Sequence, residues 1–483
     1  MFGIGGLLEG LFPDRLVFNV IVYANYLLAL ACAIREIRRS RTSQGSIAWL
    51  LSLVLLPFPT TLLYLVFGLK GFDDYAQLQT HSGRVLRLAR AKQLSLLDQP
   101  SSEQWPVLAN VSQLPFLGGN GATLLIDGDA TFASMLDGIS RAKTSILAQF
   151  YIVREDGIGT EFADRLIERA QAGVDVHLLY DDVGSFWMSR AYKKRLRDAG
   201  VKVASFNQRH RYLRLYGPTR INYRSHRKIV VVDGQEAWVG GLNVGDEYLG
   251  RDPNFGRWRD THVHVVGPAA LACGVTFRED WHWATGEALD QQVPSPVPHG
   301  GDQPVLVMAT GPADKLEDCS IAFTEVIAAA RERLWIVSPY FVPDVDLQTA
   351  LYAAALRGVD VRVLLPAKPD HRLVWLASNA HANTMVDHGI SVYRYTAGFL
   401  HQKVILVDDK IAGVGTVNFD NRSFRINFEL TLWFTAESMV ADVARMLTTD
   451  FRSAQRVTPE ELRQQSWAFR LISQSARLFS PIL

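Results

Sequence analysis

The chain is short of cysteine and of net charge, and each shortage closes off a class of function. Only three cysteines, Cys32, Cys273 and Cys319, occur in 483 residues. They lack the close pairing that a zinc site or a small disulfide framework needs, so they read as small buried hydrophobes. Fifty basic residues against 49 acidic ones leave a formal charge of +1. That balance does not suit a general nucleic-acid binder, which covers phosphates with surplus Lys and Arg. Any anion site must be local. Charged residues make up only 20% of the chain and hydrophobic ones 48%, a composition that excludes disorder and leaves apolar sequence for a membrane after two ordinary cores are filled.

That apolar surplus sits at the N-terminus. Residues 16–34, LVFNVIVYANYLLALACAI, form an uncharged run of 19 residues, close to the roughly 20 that a helix needs to cross the hydrocarbon core. A second uncharged run, residues 46–69, carries Pro57 and Pro59; prolines kink a helix but are tolerated inside membranes. Between the runs lie Arg35, Arg38, Arg39 and Arg41. Residues 1–70 are therefore expected to form a hairpin of two transmembrane helices. Ala29-Leu30-Ala31-Cys32 faintly resembles a processing site, yet Glu9 and Asp14 ahead of the run and a second apolar run behind it do not fit a cleaved signal. The arginines of the connection, weighed against Arg15, Lys70 and Arg84 outside it, lean toward a cytoplasmic loop and exterior catalytic domains.

After a linker at residues 71–120, polar and helix-like over 76–97, the chain repeats itself. In residues 121–295 the apolar run SILAQFYIV (145–153) precedes a helical stretch (160–172) and then GVDVHLLYDD from Gly173. In residues 296–483 the run LWIVSPYFV (334–342) precedes a helical stretch (346–357) and then GVDVRVLLP from Gly358. Continuous Val, Ile, Leu and Phe runs alternating with amphipathic helices imply strands covered on both faces. The expected fold class is α/β: two duplicated α/β sandwich domains facing each other, behind a membrane hairpin.

Each repeat ends in the same signature. The first copy has His226, Lys228, Asp233, Gly240, Gly241 and Asn243; the second has His401, Lys403, Asp408, Gly415, Thr416 and Asn418. Both fit H-x-K-x4-D-x6-G-[GT]-x-N without a gap. A single HxK is a coincidence of no weight, whereas two in matching contexts of a duplicated chain are a strong signal. Side chains alternate along a strand, so each His and its Lys project together. The apolar residues 229–232 and 404–407 anchor the strand, Asp233-Gly234 and Asp408-Asp409 turn it, and the glycines let backbone approach a ligand.

This pattern suits exchange of one alcohol for another on a phosphodiester. A nucleophile takes the phosphoryl group while a second group protonates the departing alcohol. One of His226 and His401 would become phosphohistidine and the other would act as acid and then as base. Lys228 and Lys403, with Asn243 and Asn418, would hold the non-bridging oxygens. Each His needs an acceptor for its other ring nitrogen, and Asp260 in RWRDTHV and Glu429 in NFELTL are the candidates. The scheme calls for no metal and no cofactor; His262 and His264 fit a strand surface better than a metal site.

These paired motifs resemble the phospholipase D superfamily, in which each motif supplies half of one active site. The resemblance extends to TLLIDGDATF, AQFYIV, RWRDTHV, the FREDW ending at Trp281 and NFDNRSFRINFE. Joined to the double-helix anchor, the set is similar to the longer bacterial cardiolipin synthases. The resemblance implies catalytic roles for His226, Lys228, Asp233, His401, Lys403 and Asp408. It also implies phosphatidylglycerol as a phospholipid substrate, cardiolipin and glycerol as products, and a multi-pass place in the bacterial cytoplasmic (inner) membrane. Gly241 and Thr416 stand where many members have Ser. A turn-capping role for Asp233 and Asp408 remains an alternative to direct chemistry. The basic, aromatic stretch 209–226 suits a solvated loop or a contact with anionic headgroups. The motifs serve a hydrolase or a transferase to another alcohol equally well, and a membrane-tethered nuclease less well; no nucleic-acid partner is expected.

Overall fold

The structure, a computed structural model, describes residues 15–38, 43–68, 99–207, 223–289, 301–314 and 316–480. The helix-like linker expected at 76–97, Arg39, Arg41 and most of the basic stretch 209–226 lie outside the described residues.

At the N-terminus Arg15–Arg38 is one helix. Leu16, Val20, Tyr23, Leu27 and Leu30 all point outward along it, an arrangement that lipid accepts and water does not. Among the described residues it is the one helix long and apolar enough to cross a membrane. The second expected span differs: it is divided into helices Ser43–Leu55 and Pro57–Leu63 and a π-helical turn Tyr64–Gly68. Pro57 has no N–H to continue the ladder, and Leu56 before it moves to φ −135°. Glu36 is buried between these segments, where the Ser46 hydroxyl donates to one carboxylate oxygen at 2.6 Å and the Tyr64 hydroxyl to the other at 2.9 Å. A carboxylate is tolerated in such surroundings when its oxygens are bonded.

The two repeats build a single sheet. The first contributes β1 (Leu117–Ile126), β2 (Ser145–Phe150), β3 (Asp175–Tyr180), β4 (Lys202–Ser205), β5 (Ile229–Val232), β6 (Glu236–Gly240) and β7 (Thr261–Val266). The second contributes β8 (Gln303–Thr310), β9 (Arg333–Val337), β10 (Asp360–Pro366), β11 (Ser391–Tyr395), β12 (Val404–Val407), β13 (Ile411–Gly415), β14 (Glu429–Phe434) and β15 (Ala454–Arg456). Their order in this 15-stranded sheet is β15-β11-β10-β9-β12-β13-β14-β8-β1-β7-β6-β5-β2-β3-β4. Leaving out β15, the order is a palindrome about the β8/β1 pair, as a duplicated unit meeting its copy through a twofold requires. The two sandwich domains are thus halves of one continuous sheet, joined where Leu117 pairs with Val305 and Asn120 with Gln303.

Burial explains the apolar runs. Every residue of β2, β5 and β12 is buried, because helices cover both faces of the sheet. Phe150, Phe162, Leu178, Val230 and Trp238 lie in the first core, and Phe323, Ile336, Leu351, Val363 and Trp433 in the second. Part of the stretch expected as linker is folded into that second core: Trp105, Leu108 and Phe116 are buried there. Their apolar surface outweighs the polar character of the residues before them. Cys273 and Cys319 are buried free thiols.

Two buried arginines tie the repeats together. Arg227 donates to Asp280 at 2.7 Å and to the carbonyls of Glu429 and Thr310 at 3.0 and 3.1 Å. Arg259 grips both oxygens of Asp450 at 2.7 Å each, and Gln402 donates to the same carboxylate at 2.8 Å. Asp280 and Asp450 occupy matching helices, Pro268–Thr285 and Glu437–Arg452. Removing one partner strands the other charge in the interior, so Asp450→Ala is expected to destabilise the fold by about 3–5 kcal/mol. Calorimetric unfolding measures this, and a melting temperature equal to the parent's would refute it.

Candidate active site

The repeats are stitched at their motifs by crossed backbone bonds. The His226 N–H donates to the Phe428 carbonyl at 2.9 Å, and the His401 N–H to the Arg259 carbonyl at 2.8 Å. Each histidine of one repeat is thereby set beside the segment of the other repeat that carries a buried carboxylate. Nδ1 of His226 lies 3.0 Å from both oxygens of Glu429, and Nδ1 of His401 lies 2.8 Å from Asp260. The orienting pairs therefore run across the repeats. With a carboxylate as acceptor, Nδ1 carries the proton and Nε2 presents its lone pair.

The His and Lys of each motif precede β5 and β12 on extended chain, and their side chains converge as the alternation implies. Lys228 Nζ donates to the His226 carbonyl at 2.7 Å and faces the Tyr151 ring at 5.6 Å. Lys403 Nζ is 2.9 and 3.0 Å from the two ring nitrogens of His401. An atom nearly equidistant from both nitrogens cannot lie in the ring plane without striking the carbon between them, so this ammonium stands over the imidazole face. Aromatic walls hold the histidines: the Tyr151 ring is 5.3 Å from His226, and the Trp258 ring is 5.2 Å from His401.

Charge and burial shape the resting protonation. Burial, with the lysine charges, depresses His226 to about 4, although Glu429 opposes it. His401 is also pushed well down, by burial first and then by Lys403 and Lys228. Burial lowers Lys403 to about 8 and Lys228 well below its ordinary value, with Lys403 adding to that effect. The carboxylates differ: burial raises Asp260, whereas Glu429 stays lowered because His226, Lys228 and Thr416 outweigh its burial. Two neutral imidazoles and two crowded lysines make a site that gains from an anion.

The motif aspartates stand apart from this cluster, in the turns where capping was the alternative to direct chemistry. Asp233 and Asp408 lie at the far ends of β5 and β12, with φ of 53° and 51°. Asp233 accepts the N–H groups of Lys143, Thr144 and Ser145 at 2.9, 2.7 and 2.9 Å. Asp408 does the same for Arg331, Glu332 and Arg333 at 3.2, 2.8 and 3.0 Å. They tie the turn to the start of the neighbouring strand, β2 or β9, and these bonds hold both carboxyls below their ordinary range against burial. Asp233→Ala is expected to lower stability by about 1–3 kcal/mol. A thermal shift with near-parental turnover per folded molecule is the expected pattern; lost turnover at an unchanged melting temperature would contradict it.

Asn243 also departs from expectation. Its carbonyl accepts from Ile152 and its NH₂ donates to the Tyr248 hydroxyl, each at 3.0 Å, so both ends of its amide are engaged within the protein. Asn418 is different: its Oδ1 is buried without a hydrogen-bond partner among the described residues. The glycines serve the protein and not a ligand, since a Cβ on Gly241 would come within 2.0 Å of Asp260 Oδ1. A serine there would displace the carboxylate that orients His401. In the other repeat Thr416 fits, and its hydroxyl donates to Glu429 at 2.5 Å. His264 bonds Glu236 at 3.0 Å on the strand surface.

Several supports escaped the sequence reading, namely Arg227, Arg259, Asp280, Asp450, Tyr151 and Trp258. A signal existed for the acids, since Asp280 and Asp450 both sit in the helix that follows the matching strands β7 and β14.

Comparison with known proteins gives a consistent result. The family model described as "Cardiolipin synthase, PLD-like domain" matches residues 135–255 and 323–453, and "Phospholipase D-nuclease N-terminal" matches residues 27–68. Cardiolipin synthase A of Pseudomonas fluorescens strain Pf-5 is 43% identical over 478 residues, covering 97% of this chain and 98% of that protein. Cardiolipin synthase A of Pseudomonas aeruginosa strain LESB58 is 43% identical over 465 residues, 94% of each chain. Among solved structures, a phosphatidylserine synthase from Haemophilus influenzae Rd KW20 matches with a TM-score of 0.61 at 16% identity, covering 78% of this chain and 99% of that one. At that identity the likeness is one of fold.

Proposed function

The chain belongs to the cardiolipin synthase family of phospholipase D-like proteins, and on that premise we propose that it transfers a phosphatidyl group between two phosphatidylglycerol molecules, giving cardiolipin and glycerol. The observation that carries this reading is the pair of histidines, each backed by a carboxylate from the opposite repeat and each accompanied by its lysine.

In this reading, Nε2 of one histidine attacks the phosphorus of the donor. The glycerol oxygen leaves with a proton from the other histidine, and a phosphatidyl-histidine remains. The second histidine then takes the proton of the acceptor's terminal hydroxyl, whose oxygen attacks phosphorus as the P–N bond breaks. Lys228 and Lys403 balance the charge of the phosphoryl oxygens throughout. Binding the anionic diester offsets the lysine charges that depress the histidines, which lets one of them hold the proton it must give. The apolar N-terminus anchors the chain in the bacterial cytoplasmic membrane, where its lipid substrate lies, with the helix Arg15–Arg38 long enough to cross it.

Purified protein given vesicles of phosphatidylglycerol alone is expected to yield cardiolipin and an equal amount of glycerol, identified by mass. Phosphatidic acid as the sole lipid product would overturn the reading. Rising pH gives a further check. Lys403 is cationic below about 8 and loses its proton as the pH climbs through that value, so kcat/KM of the free protein is expected to fall above it. A profile flat to about pH 10, where an unperturbed lysine titrates, would remove Lys403 from the reaction.

A further inference from the structure

The edge of the sheet beside the histidines presents large apolar side chains to the outside. β2 and β3 run parallel and β5 runs against them, so the ends of β2 and β3 share an edge with His226. β9 and β10 stand in the same relation to β12 and His401. In the first repeat the chain leaves β3 through Phe186 and Trp187, which are 71% and 79% exposed and meet edge to face at 5.2 Å. Ser185 and Met188, on either side of them, are buried. The Ser185 hydroxyl donates to the Tyr151 carbonyl and accepts the Val153 N–H, both at 3.0 Å. Asp181, at the start of this turn, accepts the N–H of Ser225, the residue before His226, at 3.0 Å. The aromatic pair is thus held outward on a turn fastened to the site. The helix Arg190–Asp198 that follows, RAYKKRLRD, has five cations and one acid.

The second repeat has a counterpart in the equivalent place. Helix Arg190–Asp198 joins β3 to β4, and helix Arg372–Asp387 joins β10 to β11. Against the latter packs the helix Trp467–Arg477, through the Trp375 and Phe469 rings at 6.0 Å and a bond from Asn383 to Gln465, just ahead of it, at 3.0 Å. Beyond its end the chain is tied to the motif, since Asn421, three residues after Asn418, donates to the Ser480 carbonyl at 3.0 Å. Ser473 and Ala476 face inward, while Trp467, Leu471 and Leu478 recur at helical spacing on the exposed side. Arg470 is exposed beside them, and this helix has two arginines and no acid.

We propose that this edge docks on an anionic bilayer, with Phe186, Trp187, Trp467, Leu471 and Leu478 entering the headgroup region and the neighbouring Lys and Arg meeting lipid phosphates. It rests on the reading of the substrate as a phospholipid. Large apolar side chains grouped in water mark a contact surface. Trp beside Arg and Lys is the composition of a membrane interface, where the ring is half-solvated and the cation meets anionic headgroups. Two such patches, one per repeat and on one edge, suit a lipid surface that both halves touch at once. The site itself requires this orientation. His226 and His401 are nearly buried, so the phosphate must be brought to them, and drawing two acyl chains into water is costly. The lipid reaches the histidines while keeping its chains in the bilayer only when their edge lies against it. The N-terminal helix tethers the chain, and these patches set which edge faces the lipid.

The test uses the full chain with Cys32→Ala, which leaves only the buried thiols of Cys273 and Cys319. Trp187→Cys, Leu471→Cys and, past the opposite end of β12, Lys410→Cys are each labelled with a fluorescent dye. Each is reconstituted in vesicles of phosphatidylglycerol with brominated acyl chains, which quench a dye that enters the lipid. Emission from positions 187 and 471 is expected to fall at least twofold relative to unbrominated vesicles, and that from position 410 to stay constant. No quenching at 187 or at 471, or equal quenching at 410, overturns the proposal. Pyrene excimers at 187 or 471 without bromine quenching would assign the patch to a second copy of the chain and overturn it as well. Phe186→Ser combined with Trp187→Ser is expected to lower cardiolipin formation in vesicles at least tenfold at the parent's melting temperature, and parental turnover would contradict the docking role. Quenching at both patches in a chain that makes no cardiolipin would overturn the reaction and leave the docking surface standing.

Discussion

Replacing either His226 or His401 with Ala is expected to lower turnover by about four orders of magnitude or more, the scale seen when one member of an interdependent catalytic set is lost. The two losses should be of similar size and should not add in the double variant, because each histidine is useless without the other. One breaks the P–O bond only if its partner protonates the leaving oxygen. The side chains are nearly buried and neither imidazole anchors a core cluster, so the variants are expected to unfold at close to the parent temperature. Product formation by mass, together with a melting curve, separates chemistry from folding. Near-parental turnover in either single variant would mean that the motifs do not share one site.

The second large effect concerns the crossed carboxylates. Asp260→Asn and Glu429→Gln keep shape and remove charge, and each is expected to cost about a hundredfold to ten-thousandfold in kcat through loss of tautomer control. Asp260 bonds His401 at 2.8 Å and Glu429 bonds His226 at 3.0 Å, so each acts as a positioning residue for the histidine of the opposite repeat. The Nδ1–H resonance of that histidine reports this directly by NMR. Glu429→Gln is expected to move the His226 signal and leave that of His401 in place, and Asp260→Asn to do the reverse. If the effects fell within a repeat instead, the crossed arrangement would be wrong. Thr416 adds to one arm only, since its hydroxyl bonds Glu429 while Gly241 offers Asp260 nothing. The two histidines are therefore not equivalent, which a sequential mechanism with one nucleophile and one acid requires.

Much of this was readable from residue order. Apolar runs of the length and β-branched content of residues 229–232 and 404–407 have few alternatives to a strand buried on both faces. The Asp-Gly and Asp-Asp pairs after them mark turns because Asp adopts positive φ more readily than most residues. The two copies of the His and Lys signature sit at matching points of a duplicated chain, so the residues proposed to react were legible before any packing was known. The first apolar helix follows from length and hydropathy alone. The break in the second was legible only in part: Pro57 announced a kink, but not that the chain would divide there into two helices and a π-helical turn.

What residue order determined by itself is local: which stretches are strands, where the chain turns, which side chains are candidates for chemistry, and that the unit occurs twice. Tertiary structure alone decided how the copies meet. No spacing along the chain says that β1 pairs with β8, that the motif histidines exchange backbone bonds across the repeats, or that a carboxylate orients the histidine of the other half and not its own. Nor does spacing show that the motif aspartates spend their charge on backbone N–H groups at the far end of the strand, away from the imidazoles they accompany in sequence. These are contacts between residues far apart in the chain. They are chosen by what the summed packing, hydrogen bonding and charge of two whole halves can satisfy at once, and no local preference encodes that sum.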